Sequence, residues 1–195
     1  MYRNKFQSGF LPIYHSVGWK TMENWRIVAQ NGHVKRLVDE DIKSYVCEIR
    51  GCNAVTTYMS CPDTQNKSLG ITLPHLTIIL KNLESPFYFE VEVRDEDGTK
   101  HRLKACSFNT KSNSGQFNCT MPLQLQNGWN RVHLDLQDFL NKGFSKIYRE
   151  TLRVTLHASC RVRCVYFTDR QYTEDQTPEI YKLFPNQKPQ NSKTN

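Results

Sequence analysis

This 195-residue chain contains no apolar run approaching the roughly 20 residues that a membrane-spanning helix needs, which excludes a helical integral membrane protein. Its first residues, Met1-Tyr2-Arg3-Asn4-Lys5-Phe6-Gln7-Ser8, lack the apolar core of a signal peptide, so a cytosolic or nuclear address is expected. Also missing are a phosphate-binding glycine-rich loop, a GxSxG elbow and an HExxH zinc signature. Asp95-Glu96-Asp97-Gly98 starts like a calcium loop, but the position six past the glycine is Lys104 where an acid is needed. The histidines (His15, His33, His75, His101, His133, His157) stand singly. No catalytic residue, cofactor or metal site is therefore expected.

Cysteine is present in an odd number, seven, and nowhere as CxxC. Without a secretory leader this argues for reduced thiols in a reducing compartment. Cys160-Arg161-Val162-Arg163-Cys164 alternates as a strand, which places Cys160 and Cys164 on one face, roughly 13 Å apart at about 3.3 Å per residue. Two thiolates so placed cannot share one zinc, whose sulfur ligands lie about 2.3 Å from the metal. Small buried side chains are the simpler role for both.

The net charge is +7, and it is unevenly placed. Residues 1–36 carry Arg3, Lys5, Lys20, Arg26, Lys35 and Arg36 against Glu23 alone. Residues 185–195 add Lys188 and Lys193, while everything between is neutral. Basic ends can serve nucleic acid, a membrane surface or an acidic protein, and charge alone does not choose among them.

The remaining pattern is strand-like. Tyr45, Cys47 and Ile49 alternate with Val46, Glu48 and Arg50, and Val55, Thr57 and Met59 alternate with Thr56, Tyr58 and Ser60. Leu76–Leu80 is apolar on both faces and reads as a central strand. Phe87, Phe89, Val91 and Val93 oppose Tyr88, Glu90, Glu92 and Arg94, and further strands are expected at 102–108, 117–121, 129–134, 152–158 and 161–167. Many short strands between turn residues predict an all-β protein, an antiparallel sandwich or barrel, as one domain over residues 1–184. Residues 185–195 offer no apolar anchor and are expected to be a disordered tail.

Parity specifies one hairpin. If Val91 and Leu103 both face inward, their partners must sum to an even number, which a two-residue Asp97-Gly98 turn cannot give. A three-residue Glu96-Asp97-Gly98 loop with Gly98 left-handed gives Val91–Leu103, Glu92–Arg102 and Glu90–Lys104. Helices are few: one from an Asp135 cap to Gly143, and a short turn with Pro178 as its first residue.

Arg153, Arg161, Arg163 and Phe167, with Arg131 and His133 beside Trp129, could stack and neutralise a single strand of nucleic acid. Against this, the middle of the chain is neutral and carries no RNP-type or helix-turn-helix signature.

The motifs add what composition cannot. Phe6-Gln7-Ser8-Gly9-Phe10-Leu11, Trp25, Asn31-Gly32-His33-Val34-Lys35-Arg36, Thr56-Thr57-Tyr58 and Cys61-Pro62 open the series. Leu69-Gly70-Ile71, Leu73-Pro74, Lys81-Asn82-Leu83, Cys119-Thr120-Met121-Pro122 and Gly128-Trp129-Asn130 follow. It closes with Glu150-Thr151-Leu152-Arg153-Val154, Val165-Tyr166-Phe167, Asp169-Arg170, Tyr172, Glu174, Asp175 and Tyr181-Lys182-Leu183. In this order and spacing the chain resembles the cilia- and flagella-associated protein 20 family almost end to end.

The resemblance implies a β jelly-roll with one or two short helices and a non-enzymatic, structural role. Members of that family are similar to bridges that close the B-tubule onto the A-tubule at the inner junction of axonemal doublets. There they alternate with the Parkin co-regulated protein and touch other junction proteins. The implied addresses are cytoplasm, cytoskeleton and axoneme, with basal body or nucleus besides, and neither membrane nor nucleic acid is an expected partner. Trp19, Cys47, Cys52, the 109–115 loop and the tail after Phe184 differ from the family pattern and suggest a diverged paralogue. Since tubulin is acidic, Arg3, Lys5, Lys20, Lys35, Arg36, Arg161 and Arg163 are the expected tubulin or partner contacts. The rival expectation is a jelly-roll module for glycan, through Trp19 or Trp129, or for nucleic acid.

Overall fold

The computed structural model describes residues 1–18 and 21–184, so Trp19, Lys20 and the expected tail at 185–195 lie outside the described residues. In chain order the strands are β1 (Phe10–His15), β2 (Arg26–Ala29), β3 (Gly32–Asp39), β4 (Ser44–Gly51), β5 (Thr57–Cys61), β6 (His75–Asn82) and β7 (Tyr88–Asp95). They continue with β8 (Lys100–Cys106), β9 (Asn113–Ser114), β10 (Asn118–Pro122) and β11 (Gly128–Asp135), then helix α1 (Leu136–Phe144), β12 (Tyr148–His157) and β13 (Cys160–Thr168). A 3-10 turn at Glu179–Tyr181 closes the described chain.

Two sheets face each other in a β-sandwich of jelly-roll type. The first runs β11-β6-β13-β4-β3, with β1 also on β13, and the second runs β2-β5-β12-β7-β8-β10-β9. Their inner faces share one core built from the alternating apolar positions, among them Met59, Leu76, Ile78, Leu80, Phe89, Val91, Leu156 and Phe167. Pairing is antiparallel except that β10 lies parallel to β8, because the 107–117 connection carries the chain back before β10 starts.

The β7–β8 register is Glu90↔Lys104, Val91↔Leu103 and Glu92↔Arg102, with Gly98 at φ 87°, so the parity argument predicts the hairpin correctly. Asp135 caps α1 by accepting the Asp138 amide, also as expected. The helix ends differently: it runs through Gly143 to Phe144, and Ser145 takes the left-handed position at φ 54°. Pro178 precedes the final turn as its cap and is not its first residue. Val55 stays outside β5 and is exposed.

The face assigned to Cys164 is also different. β13 pairs Val162 with Leu80 and then Cys164 with Ile79, a bulge centred on Arg163. A bulge inserts one residue and flips the phase of everything after it. Cys160 and Val162 therefore point into the main core, as do Val165 and Phe167. Cys164 and Tyr166 turn to the outer face of the first sheet, where they join Ile42, Val46, Ile79, Trp129 and Tyr181 in a second apolar cluster. Cys160 and Cys164 thus lie on opposite faces, and both are buried.

That outer cluster is roofed by the segment that follows β13. The Tyr181 ring stacks on Phe10 at 5.3 Å with a 4° interplanar angle and packs on Tyr166 at 4.7 Å.

Candidate interaction surface

On the half of the outer face not covered by the roof, β3 and β4 present polar side chains in alternation. Their cross-strand pairs are His33↔Arg50, Lys35↔Glu48 and Asp39↔Ser44. Two carboxylates here are almost wholly enclosed, with side-chain exposures of 0% for Asp39 and 5% for Glu48. Burying a carboxylate demands a full set of donors, and the neighbouring strands provide them.

Asp39 accepts from Arg161 at 2.7 Å, Lys81 at 3.0 Å, the Trp129 indole N–H at 3.1 Å and the Asp41 amide at 3.0 Å. Glu48 accepts from the Arg161 Nε at 2.7 Å and meets His33 Nε2 at 2.8 Å. Lys35 stands 3.8 Å from Glu48 with its own side chain 55% exposed. Burial pushes the Asp39 carboxyl up, but bonds from Arg161, Lys81 and Trp129 outweigh it and hold the group at about 2. For Glu48 burial also acts upward and is again overcome, by His33 and Arg161, so its acidity is strengthened.

This cluster saturates its charges internally. Arg161, expected to face a partner, spends its guanidinium joining two carboxylates. Trp129 is buried, so it offers no platform to a sugar. Arg153 and Arg131 are likewise held by partners within the chain. Arg153 donates to Ser60 Oγ and to the carbonyls of Pro62, Thr64 and Lys67. Arg131 holds Glu174 at 2.6 Å and the Tyr181 carbonyl at 3.2 Å.

Arg163 corrects the expectation most sharply. At 3% exposure it lies under the roof, donating to the carbonyls of Lys182, Leu183 and Ile180. The cause is the bulge beneath it together with the segment folded over it, neither of which alternation along β13 reveals. A partner cannot reach this guanidinium.

Of the expected contact residues, Lys35 and Arg36 stay on one accessible strand. Arg36 turns to the other side of β3, its guanidinium 3.9 Å from the centre of the Tyr45 ring. Beside them a cleft of about 500 Å³ is lined by His33, Arg50, Cys52, Pro86 and Ser159. Arg50 is exposed and was not singled out from sequence, although its alternation with Glu48 puts it on the solvent face. Arg3 and Lys5 lie elsewhere, beside β12, where Arg3 grips Glu150 at 2.8 Å and Lys5 sits 5.5 Å from the Tyr2 ring. On the second sheet a groove of about 430 Å³ is lined by Arg26, Tyr58, Glu90, Glu92, Arg153 and His157.

Burial pushes the thiols of Cys47, Cys61 and Cys164 up to about 12, so they are neutral at physiological pH. Among the described residues no group of three or more His, Cys, Asp or Glu side chains could hold a metal ion.

With the geometry in view, the chain was compared with known proteins. A family model described as the CFA20 domain matches residues 1–185. The chain belongs to the CFA20 domain family. Its relatives include "Cilia- and flagella-associated protein 20" of Chlamydomonas reinhardtii, 47% identical over 94% of this chain and 97% of that protein. Proteins of the same name from Paramecium tetraurelia (44% identity, 94% and 96% coverage) and Caenorhabditis elegans (43%, 94% and 91%) also match. The CFA20 chain is thus related along nearly its whole length to cilia- and flagella-associated proteins. Solved structures resemble it far less closely. A xylan-binding domain from carbohydrate-binding family 22 matches with TM-score 0.39 and 10% identity over 87% of this chain and 99% of that one. A family 11 carbohydrate-binding module from Clostridium thermocellum gives TM-score 0.39 and 8% identity over 84% and 97%. No ligand follows for the CFA20 chain from likenesses at that level.

Proposed function

We propose that this CFA20 protein is a structural, non-enzymatic component of the ciliary or flagellar axoneme that bridges the A- and B-tubules at the inner junction of doublet microtubules. The observation that carries the proposal is the end-to-end relationship to cilia- and flagella-associated proteins. Its partners are tubulin and neighbouring junction proteins, including the Parkin co-regulated protein. Lys35 and Arg36, on a strand at the margin of the first sheet, supply exposed positive charge to an acidic lattice, with Arg50 beside them. Single exposed charge contacts are weak, about 0–1 kcal/mol each. Repetition along a filament makes such contacts sufficient through avidity.

Cryo-EM of axonemes from the source cells, with and without this chain, tests the proposal. A periodic density at the inner junction that disappears with the chain is expected. Doublets with an unchanged inner junction in its absence overturn it.

A further inference from the structure

The segment leading into β1 is held unusually firmly for the start of a domain, where chains ordinarily fray. The Tyr2 amide donates to the Leu69 carbonyl at 2.7 Å, and the Lys5 amide to the Tyr2 carbonyl at 2.8 Å. Gln7 works in both directions: its Nε2 donates to the carbonyls of Tyr2 (3.0 Å) and Gly70 (2.9 Å), and its Oε1 accepts the Thr72 amide at 2.9 Å. Arg3 closes on Glu150 through both Nε and NH2. Further on, the Gly9 amide donates to Asp169. Packing is close as well: a Cβ at Gly70, whose φ is +66°, would come within 2.9 Å of the Arg3 Cβ.

All this fixes a tight turn over Tyr2–Lys5, and Phe6, which follows it directly, is 93% exposed. Phe184 is also exposed (61%), at the end of the described residues, whereas two further outward phenylalanines differ. Phe108 (52% exposed) lies edge-on to Tyr88, and Phe117 (46%) lies against His101. Phe6 has no ring contact among the described residues, yet the residues on either side of it are anchored. A rigid frame that holds a bare aromatic ring in water contributes nothing to the core. It does remove the ordering cost of inserting that ring into a partner.

The surroundings state what partner it suits. Glu150 is enclosed, with 6% side-chain exposure, between Arg3 and Arg94, the latter at 2.9 Å. Arg3 and Lys5 belong to the same short segment as Phe6, and Arg94 meets Arg3 across Glu150, so these three cations outnumber the one carboxylate they share. An aromatic anchor with cations in its own segment is complementary to an apolar recess with a carboxylate rim.

We infer that Phe6, presented by Gln7 with Arg3 and Lys5 in the same segment, is a docking knob that inserts into an apolar recess of the acidic microtubule lattice. The inference rests on the proposed tubulin partnership and adds a second contact site to it. Lys35 and Arg36 lie on the first sheet, whereas the knob is tied to β12 of the second through Glu150. A bridge needs two separate contact sites, and these belong to different layers of the sandwich.

The test is co-sedimentation of the full-length protein with stabilised microtubules, comparing wild type, Phe6→Ala, Gln7→Ala and Lys35→Glu/Arg36→Glu. Phe6→Ala should weaken binding at least tenfold with an unchanged melting temperature, since the ring is in water. Gln7→Ala, which keeps the ring but loosens its frame, should weaken binding several-fold. Wild-type binding with Phe6→Ala within twofold of it overturns the knob and leaves the tubulin partnership standing. Absence of wild-type binding overturns both.

Discussion

Two regions of this protein enclose carboxylates among basic side chains, and they do opposite things with the arrangement. Around Asp39 and Glu48, Arg161 and Lys81 are matched by acids, including Asp41 at 2.7 Å from Lys81, so little charge is left for a partner. Around Glu150, one enclosed carboxylate meets two guanidiniums, and the Arg3 side chain, in the same segment as Lys5 and Phe6, stays 58% exposed. A count of cations sees the same feature twice. Only the ratio of enclosed acids to bases separates an internal clamp from a contact surface.

The comparison is broken most forcefully at Arg161. Arg161→Ala leaves two buried carboxylates short of their shared partner and should cost about 3–5 kcal/mol in urea or thermal unfolding. Arg3→Ala, with Arg94 still on Glu150 and the Arg3 side chain 58% exposed, should cost about 1 kcal/mol or less. Equal losses at the two sites would erase the distinction.

Next in size is the indole donor. Trp129→Phe keeps most of the buried ring but removes one bond to Asp39, with an expected loss of about 1–3 kcal/mol by chemical denaturation.

Acid sharpens the same contrast. Asp39 titrates at about 2 in the fold, against about 3.9 for an unfolded aspartate. Its stabilisation is therefore complete above about pH 4 and is lost as the pH falls towards 2, a change on the order of 2 kcal/mol at most. Arg161→Ala should move this acid-unfolding limb to higher pH, and Arg3→Ala should leave it in place. A second window belongs to His157, which burial holds down at about 4 while its ring N–H donates to the Ala54 carbonyl. Because the unfolded imidazole protonates near pH 6.5, stability should also decline between pH 6.5 and 4. His157→Gln should flatten that decline in pH-dependent melting curves.

The smallest effect on folding is expected at β3. Lys35→Glu with Arg36→Glu should shift stability by less than about 1 kcal/mol, as exposed charges do. The same variant should lose incorporation into axonemes, measured by fluorescence of the tagged chain. Unaltered incorporation would remove this strand from the contact surface.

Much of the sandwich was legible because alternation and turn chemistry are local. The β7–β8 register follows from parity and Gly98, and Asp135 announces its helix by its position before Leu136, Phe139 and Leu140. The roles of the arginines were not legible, because they depend on distant strands. Arg161 reaches Asp39, 122 residues earlier, and Arg153 reaches Ser60, 93 residues earlier. Nothing in Cys160-Arg161-Val162-Arg163-Cys164 marks the bulge, since plain alternation already puts Cys160, Val162 and Cys164 on one small apolar face. Strands β1 to β3 were hidden for another reason. Pro12 interrupts the first, β2 is only four residues long and mostly exposed, and β3 carries exposed polar residues, as margins of sheets do.

One further consequence lies in how the first sheet is closed. β1 pairs with the second half of β13, Phe10 opposite Thr168, and Tyr181 then settles on Phe10. These contacts join positions separated by most of the chain, so their formation carries a large loop-closure entropy and is slow by topology. During synthesis the residues of β1 emerge well before their hydrogen-bonding partners in β13, with eleven strands made between them. Until then this edge of the sheet is open and the ring of Phe10 lacks its cover. The nascent chain therefore depends on protection of this edge until β13 has been made.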